Sequence, residues 1–208
     1  MLATTEPAAS RRRADSYEQR RNALVSSALQ TLSELGYART SVRDIAQNSD
    51  YSHGVLHYYF ADKAELIDEC IRRYDEMSEE RFAALPTTAA SAADYADAIA
   101  EAFASTLVTD ASEHRLWYDL RTQSMFDEGL REGVAAIDTG RAAKVWSIVT
   151  RLAELSGIPP STSAAVAYQL VDGVLQHHVI SYALGDETAP ARLASAIRDL
   201  LLLLVPAG

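Results

Sequence analysis

Thr40-Ser41-Val42-Arg43-Asp44-Ile45-Ala46-Gln47-Asn48-Ser49-Asp50-Tyr51-Ser52-His53-Gly54-Val55-Leu56-His57-Tyr58-Tyr59-Phe60 reads as two short helices joined by a tight turn. Ser41 followed three residues later by Asp44 is a capping box, which starts a helix at Val42. Val42, Ile45 and Ala46 give that helix one small apolar face. Asn48-Ser49-Asp50 ends it, because these side chains compete for backbone hydrogen bonds and tolerate a left-handed turn. Ser52 is placed to cap a second helix with Val55, Leu56 and Tyr59 inward. A small residue at Ala46, a turn residue at Asp50 and an aliphatic residue at Leu56 suit two helices crossing at close range. The pattern is a helix-turn-helix whose second helix is shaped to enter a DNA major groove.

From about Arg20 to Leu66 the chain resembles the N-terminal domain of TetR-family transcriptional repressors. The resemblance is carried above all by T-S-V-R-D-I-A (Thr40 to Ala46) and S-H-G-V-L-H-Y-Y-F-A-D-K-A-E-L (Ser52 to Leu66). It covers roughly a quarter of the chain. Two departures stand out. The family usually has Gly at the turn and a small aliphatic residue next, where this chain has Asp50 and Tyr51; the Tyr common in the recognition helix is His57. Asp adopts the left-handed conformation at some cost, so the turn is expected to survive, with Tyr51 finding extra room or pointing partly outward. The resemblance implies a repressor that dimerises through its last two long helices.

The formal charge of −10 over 208 residues argues at first against a nucleic-acid partner. Its distribution does not. Residues 1–63 hold 8 Lys/Arg and 7 Asp/Glu, for +1, and residues 64–208 hold 11 and 22, for −11. Arg11, Arg12, Arg13, Arg20, Arg21, Arg39, Arg43 and Lys63 gather at one end, as suits a protein that sets that end on phosphate. The single cysteine, Cys70, excludes an internal disulfide framework and fits a reducing compartment. No apolar run approaches the ~18 residues of a membrane span, and residues 1–16 lack the apolar core of a signal peptide. A cytoplasmic location is the expectation.

Almost everything after residue 16 has helical period. A first helix is predicted over 17–35, burying Leu24, Ala28, Leu29, Leu32 and Leu35, with Gly36 as its stop. Asp62 and Glu65 form a second capping box that opens a long helix ending before Pro86, with Leu66, Ile67, Cys70, Ile71 and Tyr74 inward. A small-residue linker, 87–91, follows it. Further helices are predicted over 92–109, 112–124, 127–156, 162–184 and 189–205, the third weakened by Gly129, Gly133 and Gly140. Val166, Leu170, Val174 and His177 form one stripe of the penultimate helix and Ala167, Val171, Leu175 and Val179 another, while residues 200–205 are apolar all round. A terminal helix apolar on every side needs cover on every side, which predicts a homodimer through 162–184 and 189–205. A terminal helix tucked into its own core is the alternative.

Geometry assigns candidate DNA contacts to Thr40, Ser41 and Arg43 at one helix start and to Ser52, His53, Gly54, His57 and Tyr58 on the next helix. Lys63 is within reach of the flanking backbone. Arg11, Arg12 and Arg13 are read either as an added phosphate arm or as part of a disordered tail. His53 and His57 also have i, i+4 metal spacing, but no third ligand completes a set, so no metal is expected. In the C-terminal part Phe103, Leu107, Trp117, Tyr118, Arg121, Met125, Trp146, Tyr168, Asp172 and Gln176 are candidates for a ligand cavity between helices. Asp172 lies in an otherwise apolar stretch and wants either an ion pair or a ligand; an aromatic-rich pocket beside it would suit a cation or an amphipathic compound.

The expected architecture is all-α: a disordered arm over 1–16, a three-helix DNA-binding domain over 17–62, and a larger helical ligand-binding and dimerisation domain over 63–208. The expected function is sequence-specific transcriptional regulation through double-stranded DNA, a palindromic operator released by a small apolar or aromatic effector, with the helix from Asp62 as the lever. No catalytic or phosphate-binding motif is present and no cofactor is expected. The rival readings are a ligand-independent DNA-binding protein and an all-α enzyme using the C-terminal cavity.

Overall fold

The computed structural model describes residues 8–206, with side chains from residue 16 onward. Among these residues all regular structure is helical: α1 (Ala8–Leu35), α2 (Val42–Gln47), α3 (His53–Tyr59), α4 (Lys63–Ala83), α5 (Ala92–Thr109), α6 (Ala111–Gln123), α7 (Arg131–Ser156), α8 (Ala164–Ala183) and α9 (Ala189–Leu204). The chain forms two compact units, Met1–Tyr74 and Asp75–Gly208.

In the first unit α1 begins at Ala8, earlier than the start near Tyr17 read from the periodicity. The segment Ala8 to Ser16 contains neither Gly nor Pro to stop a helix extending backwards. The side chains of Arg11, Arg12 and Arg13, and all of residues 1–7 of the expected arm, lie outside the described residues. Leu24, Val25, Ala28 and Leu32 of α1 are buried, while Leu29 and Leu35 are only half-buried. Gly36 ends the helix at φ 82°, its N–H donating to the Leu32 carbonyl at 2.8 Å; a left-handed stop of this kind favours glycine.

The capping box at α2 forms as its sequence predicts. Ser41 N–H donates to the Asp44 carboxylate at 2.8 Å, and Asp44 N–H to the Ser41 hydroxyl at 3.3 Å. The Ser41 hydroxyl, which also donates to the Asp44 carboxylate at 2.5 Å, and then the Ser41 N–H hold that carboxyl below its ordinary pKa. The turn differs from expectation, since no described residue other than glycine has positive φ. Asp50 is therefore not left-handed. The Ser49 hydroxyl closes the turn instead, accepting Tyr51 N–H at 3.2 Å and lying 3.1 Å from the Ala46 carbonyl, and Tyr51 is half-buried. Ser52 occupies the N-cap of α3, but its side chain makes no cap bond; its carbonyl accepts from Val55 and Leu56. Leu56, Tyr59 and Phe60 are buried with Ile45 and with Leu66, Ile67, Cys70, Ile71 and Tyr74 of α4.

At α4, Asp62 accepts Glu65 N–H at 2.9 Å, and Glu65 replies to the Ala61 N–H at 2.7 Å, one residue before the reciprocal partner of a standard capping box. Arg21 of α1 ties to Glu69 of α4 at 2.9 Å and lies 4.9 Å over the Phe60 ring. Cys70 is buried, and burial with the neighbouring Glu69 carboxylate pushes its thiol up to about 12.

The second unit is a helical layer packing in which α5 lies along α9, α9 along α8, and α8 against α6 and α7. The glycine-weakened stretch resolves into a 3-10 turn over Glu128–Leu130, after which α7 runs unbroken through Gly133 and Gly140. In the apolar end of α9, residues 200–205, Leu201, Leu204 and Val205 are buried and Leu203 is exposed; earlier in the helix Leu193 and Ile197 are buried while Arg192, Ser195 and Asp199 face solvent. The two stripes of α8 separate. Ala167, Val171, Leu175 and Val179 point inward, and Val166, Leu170 and His177 are exposed together with Ile180 and Leu184.

Candidate functional site

The inner face of α3 is committed to packing and the outer face is open. Ser52, His53, Gly54, His57 and Tyr58 are exposed, Tyr58 by 73%. The His53 and His57 rings meet edge-on at 4.6 Å. Tyr17 of α1 packs on Tyr59 at 4.7 Å and reaches Tyr58 at 6.2 Å, which ties the base of the recognition helix to α1. Arg43 and Ser41 are exposed at the start of α2. Two other predicted contacts have structural work. Thr40 is buried, its hydroxyl donating to the Gly36 carbonyl at 2.7 Å. The Lys63 ammonium donates to the Thr40 carbonyl at 2.8 Å and lies 4.6 Å over the Tyr37 ring, linking the start of α4 to the start of α2.

In the second unit the structure brings Tyr118, Arg121, Tyr168 and Asp172 into one network and adds Asp138, which no sequence signal had singled out. Arg121 pairs with Asp172 and reaches Asp138 at 3.5 Å. Tyr118 donates to the Asp172 carboxylate at 3.1 Å, and Tyr168 donates to Asp138. Burial, then the Asp172 charge, raises the Tyr118 pKa; burial, then the bond to Asp138, raises that of Tyr168. Of the two partners open to Asp172, the chain supplies the ion pair.

The remaining ligand candidates scatter. Trp117 is fully buried, with the Arg141 guanidinium 4.6 Å above its ring. Leu107 lines a separate pocket of about 210 Å³ with Ala111, Arg115, Val179, Tyr182 and Ala183. Met125 is 65% exposed, and Trp146 and Gln176 are half-buried. Phe103 alone among them lines the cavity formed by α4, α5, α6, α7 and α8.

That cavity, about 60 Å³, is lined by Ser78, Arg81 and Phe82 of α4, Phe103 and Thr106 of α5, His114 of α6, Arg141 of α7 and Leu175 of α8. It is well below the ~300 Å³ at which drug-sized pockets begin, so it suits a compact occupant. Arg81 pairs with Glu113 at 2.9 Å and Asp110 at 3.6 Å. His114 is 5% exposed, and neither ring nitrogen has a hydrogen bond of normal geometry. Burial, then the charges of Arg141 and Arg81, lowers its pKa to about 3, with the Thr106 backbone acting in the opposite direction. Sequence reasoning missed both His114 and Arg141. Arg141 had a signal: it interrupts the buried stripe Ile137, Val145, Ile148 and Leu152 of α7.

A helical chain with an exposed recognition helix on one compact unit and a second, larger helical unit is a helix-turn-helix regulator by architecture. Residues 24–70 match the model of bacterial regulatory proteins of the tetR family. The matched stretch runs from within α1 into α4, so the first unit carries a DNA-binding domain similar to that family's, and the chain is a DNA-binding transcriptional regulator. It is 26% identical over 193 residues to the HTH-type transcriptional regulator BetI of Burkholderia thailandensis, covering 89% of this chain and 94% of that one. A transcriptional regulator from Rhodococcus sp. Rha1 shares the fold with a TM-score of 0.73 at 14% identity, covering 88% of this chain and 95% of the other. A regulator from Saccharomonospora viridis, solved in complex with choline, superposes with a TM-score of 0.70 at 18% identity, covering 90% and 98%. No helix of the described residues is long and apolar enough to cross a membrane.

Proposed function

We propose that the chain is a homodimeric repressor that holds a palindromic operator through α3 and releases it when a small apolar or aromatic effector enters the second unit. The observation that carries the reading is the division of α3: Leu56 and Tyr59 are buried while His53, Gly54, His57 and Tyr58 are left to solvent. His53 and His57 read base edges or phosphates, Ser52 and Tyr58 hold phosphates, and Gly54 permits close approach. Arg43 and the N–H groups at the start of α2 add backbone contacts.

Dimerisation joins the penultimate and last helices, 162–184 and 189–205, with their counterparts in a second copy. Supporting this is the exposed stripe of α8 and its C-cap, where Ile180 is 51% and Leu184 84% exposed. Two recognition helices then lie about 34–36 Å apart, one turn of DNA. An effector that prefers another separation weakens DNA binding by the same factor that DNA weakens its own, and a coupling of roughly 1–3 kcal/mol suffices. Helix α4 is the lever, because it contributes Leu66, Ile67 and Cys70 to the core of the first unit and Ser78, Arg81 and Phe82 to the cavity of the second. The choline complex of the Saccharomonospora regulator supports effector binding within this fold without fixing the ligand here.

The test is selection of DNA from a random duplex pool by the full-length protein at physiological salt, repeated with Arg43→Ala and His53→Ala. A recovered palindrome that both variants lose is the expected result. Recovery of no preferred sequence would remove the reading. Ile180→Glu should yield a monomer by sedimentation and lose the palindrome while keeping its helical signal.

A further inference from the structure

The geometry points to a compact amphipathic carboxylate as the effector, its carboxylate held by Arg141 and His114 and its apolar body against Phe82, Phe103 and Leu175. The inference rests on the effector reading above and gives that effector its charge.

The sign of the cavity carries the argument. Two guanidiniums line it, and no Asp or Glu does; the acids that pair with Arg81 are outside the lining. His114, 95% buried on the same wall, has an imidazole whose nitrogens lack normal hydrogen bonds. A buried polar ring left in that state costs stability, and a bound carboxylate is a natural acceptor for its N–H. Arg141, whose guanidinium lies 4.6 Å from the Trp117 ring centroid, supplies positive charge beside it. The fields of Arg141 and Arg81 already oppose protonation of His114, so the wall is electropositive before any ligand arrives. A quaternary ammonium would meet repulsion there. Nor does Asp172 serve a cation, because Arg121 and Tyr118 occupy its oxygens. Apart from the Ser78 and Thr106 hydroxyls the rest of the lining is aromatic and aliphatic, which calls for an apolar body on the anion.

The experiment titrates the full-length protein with benzoate and octanoate, their uncharged amides benzamide and octanamide, and choline. Binding is read by calorimetry, and release of the selected duplex by fluorescence anisotropy. At least one carboxylate should bind about tenfold tighter than its amide, the preference of a charge-assisted contact, and the ratio should fall towards one in Arg141→Gln. His114→Phe fills the same space without a polar ring. It should weaken carboxylate binding yet leave thermal stability equal or higher, which a purely structural histidine would not do, and it serves as the test if Arg141→Gln does not fold. Equal affinity for amides or choline, an unchanged ratio in both variants, or no binding by either carboxylate overturns the proposal. Charge-selective binding without release of DNA would leave the anion site standing and remove the effector reading. Release by an amide or by choline alone would do the reverse.

Discussion

The two units treat polar side chains in opposite ways. In the first, the buried polar residues are Thr31 and Thr40, whose hydroxyls are satisfied by carbonyls of their own chain segments, Ser27 at 2.8 Å and Gly36 at 2.7 Å. In the second, beside the Ser78 hydroxyl, the ionisable side chains of His114, Arg141, Asp172 and His178 are buried. A surface that meets a charged polymer keeps its polar groups in water until contact, so the first unit has an apolar core and a functional exterior. A unit that encloses a small molecule must place polar groups inside, where each unmatched group is costly. Stability and function are thus separable in the first unit and entangled in the second.

The sharpest way to break this contrast lies in α3. Leu56→Ala removes a side chain that is 1% exposed and should cost about 3–4 kcal/mol, read by urea denaturation. His57→Ala, one position along, should stay within about 0.5 kcal/mol of the parent while weakening operator binding. Equal destabilisation by both would erase the separation claimed for the first unit. In the second unit Asp172→Ala strips Arg121 and Tyr118 of their shared acceptor. Because Arg121 is about a third exposed, the loss should fall near the low end for a broken buried pair, about 3 kcal/mol, visible in thermal unfolding.

A smaller effect is specific to His114. Its folded pKa is lowered to about 3 from the ordinary 6.5, with Arg81 and Arg141 facing it, so below pH 6.5 the unfolded chain binds a proton that the folded chain refuses. Stability should therefore fall as pH drops through this window, by up to about 1.4 kcal/mol per pH unit from this group. Between pH 6.5 and 5, above most carboxylate titration, His114→Phe should flatten the curve relative to the parent; parallel curves would mean that the ring is not held neutral. Smallest is Gly157→Ala. Gly157 ends α7 at φ 71° with open space around its Cα, so only backbone strain acts, about 1 kcal/mol.

The first unit was legible because its determinants are contiguous. The capping box, the turn and the buried positions of α3 fall within 21 residues, and local hydrogen bonding and period are read directly from such a stretch. Its turn was misjudged because the Ser49 hydroxyl offers a closure needing no left-handed residue, a choice that Asp50 had obscured. The alternating stripes of α8 were legible for the same reason of period, although which of them faced inward was not. The cavity was not legible: Arg81, His114 and Arg141 come from three helices, and their meeting is set by packing that no single helix encodes. Aromatic residues drew attention there, yet Trp117 serves as a floor for Arg141 and Met125 points to solvent.

Cys70 offers a use beyond the core it fills. A thiol pushed up to about 12 and sealed between α1 and α4 stays unreactive at neutral pH, so the native chain is already a silent background for thiol labelling. Ala64→Cys, at an exposed position in the first turn of α4, would carry a spin or dye label alone. In a dimer the label-to-label distance becomes a ruler across the DNA-reading heads, readable without DNA and with each candidate effector in turn.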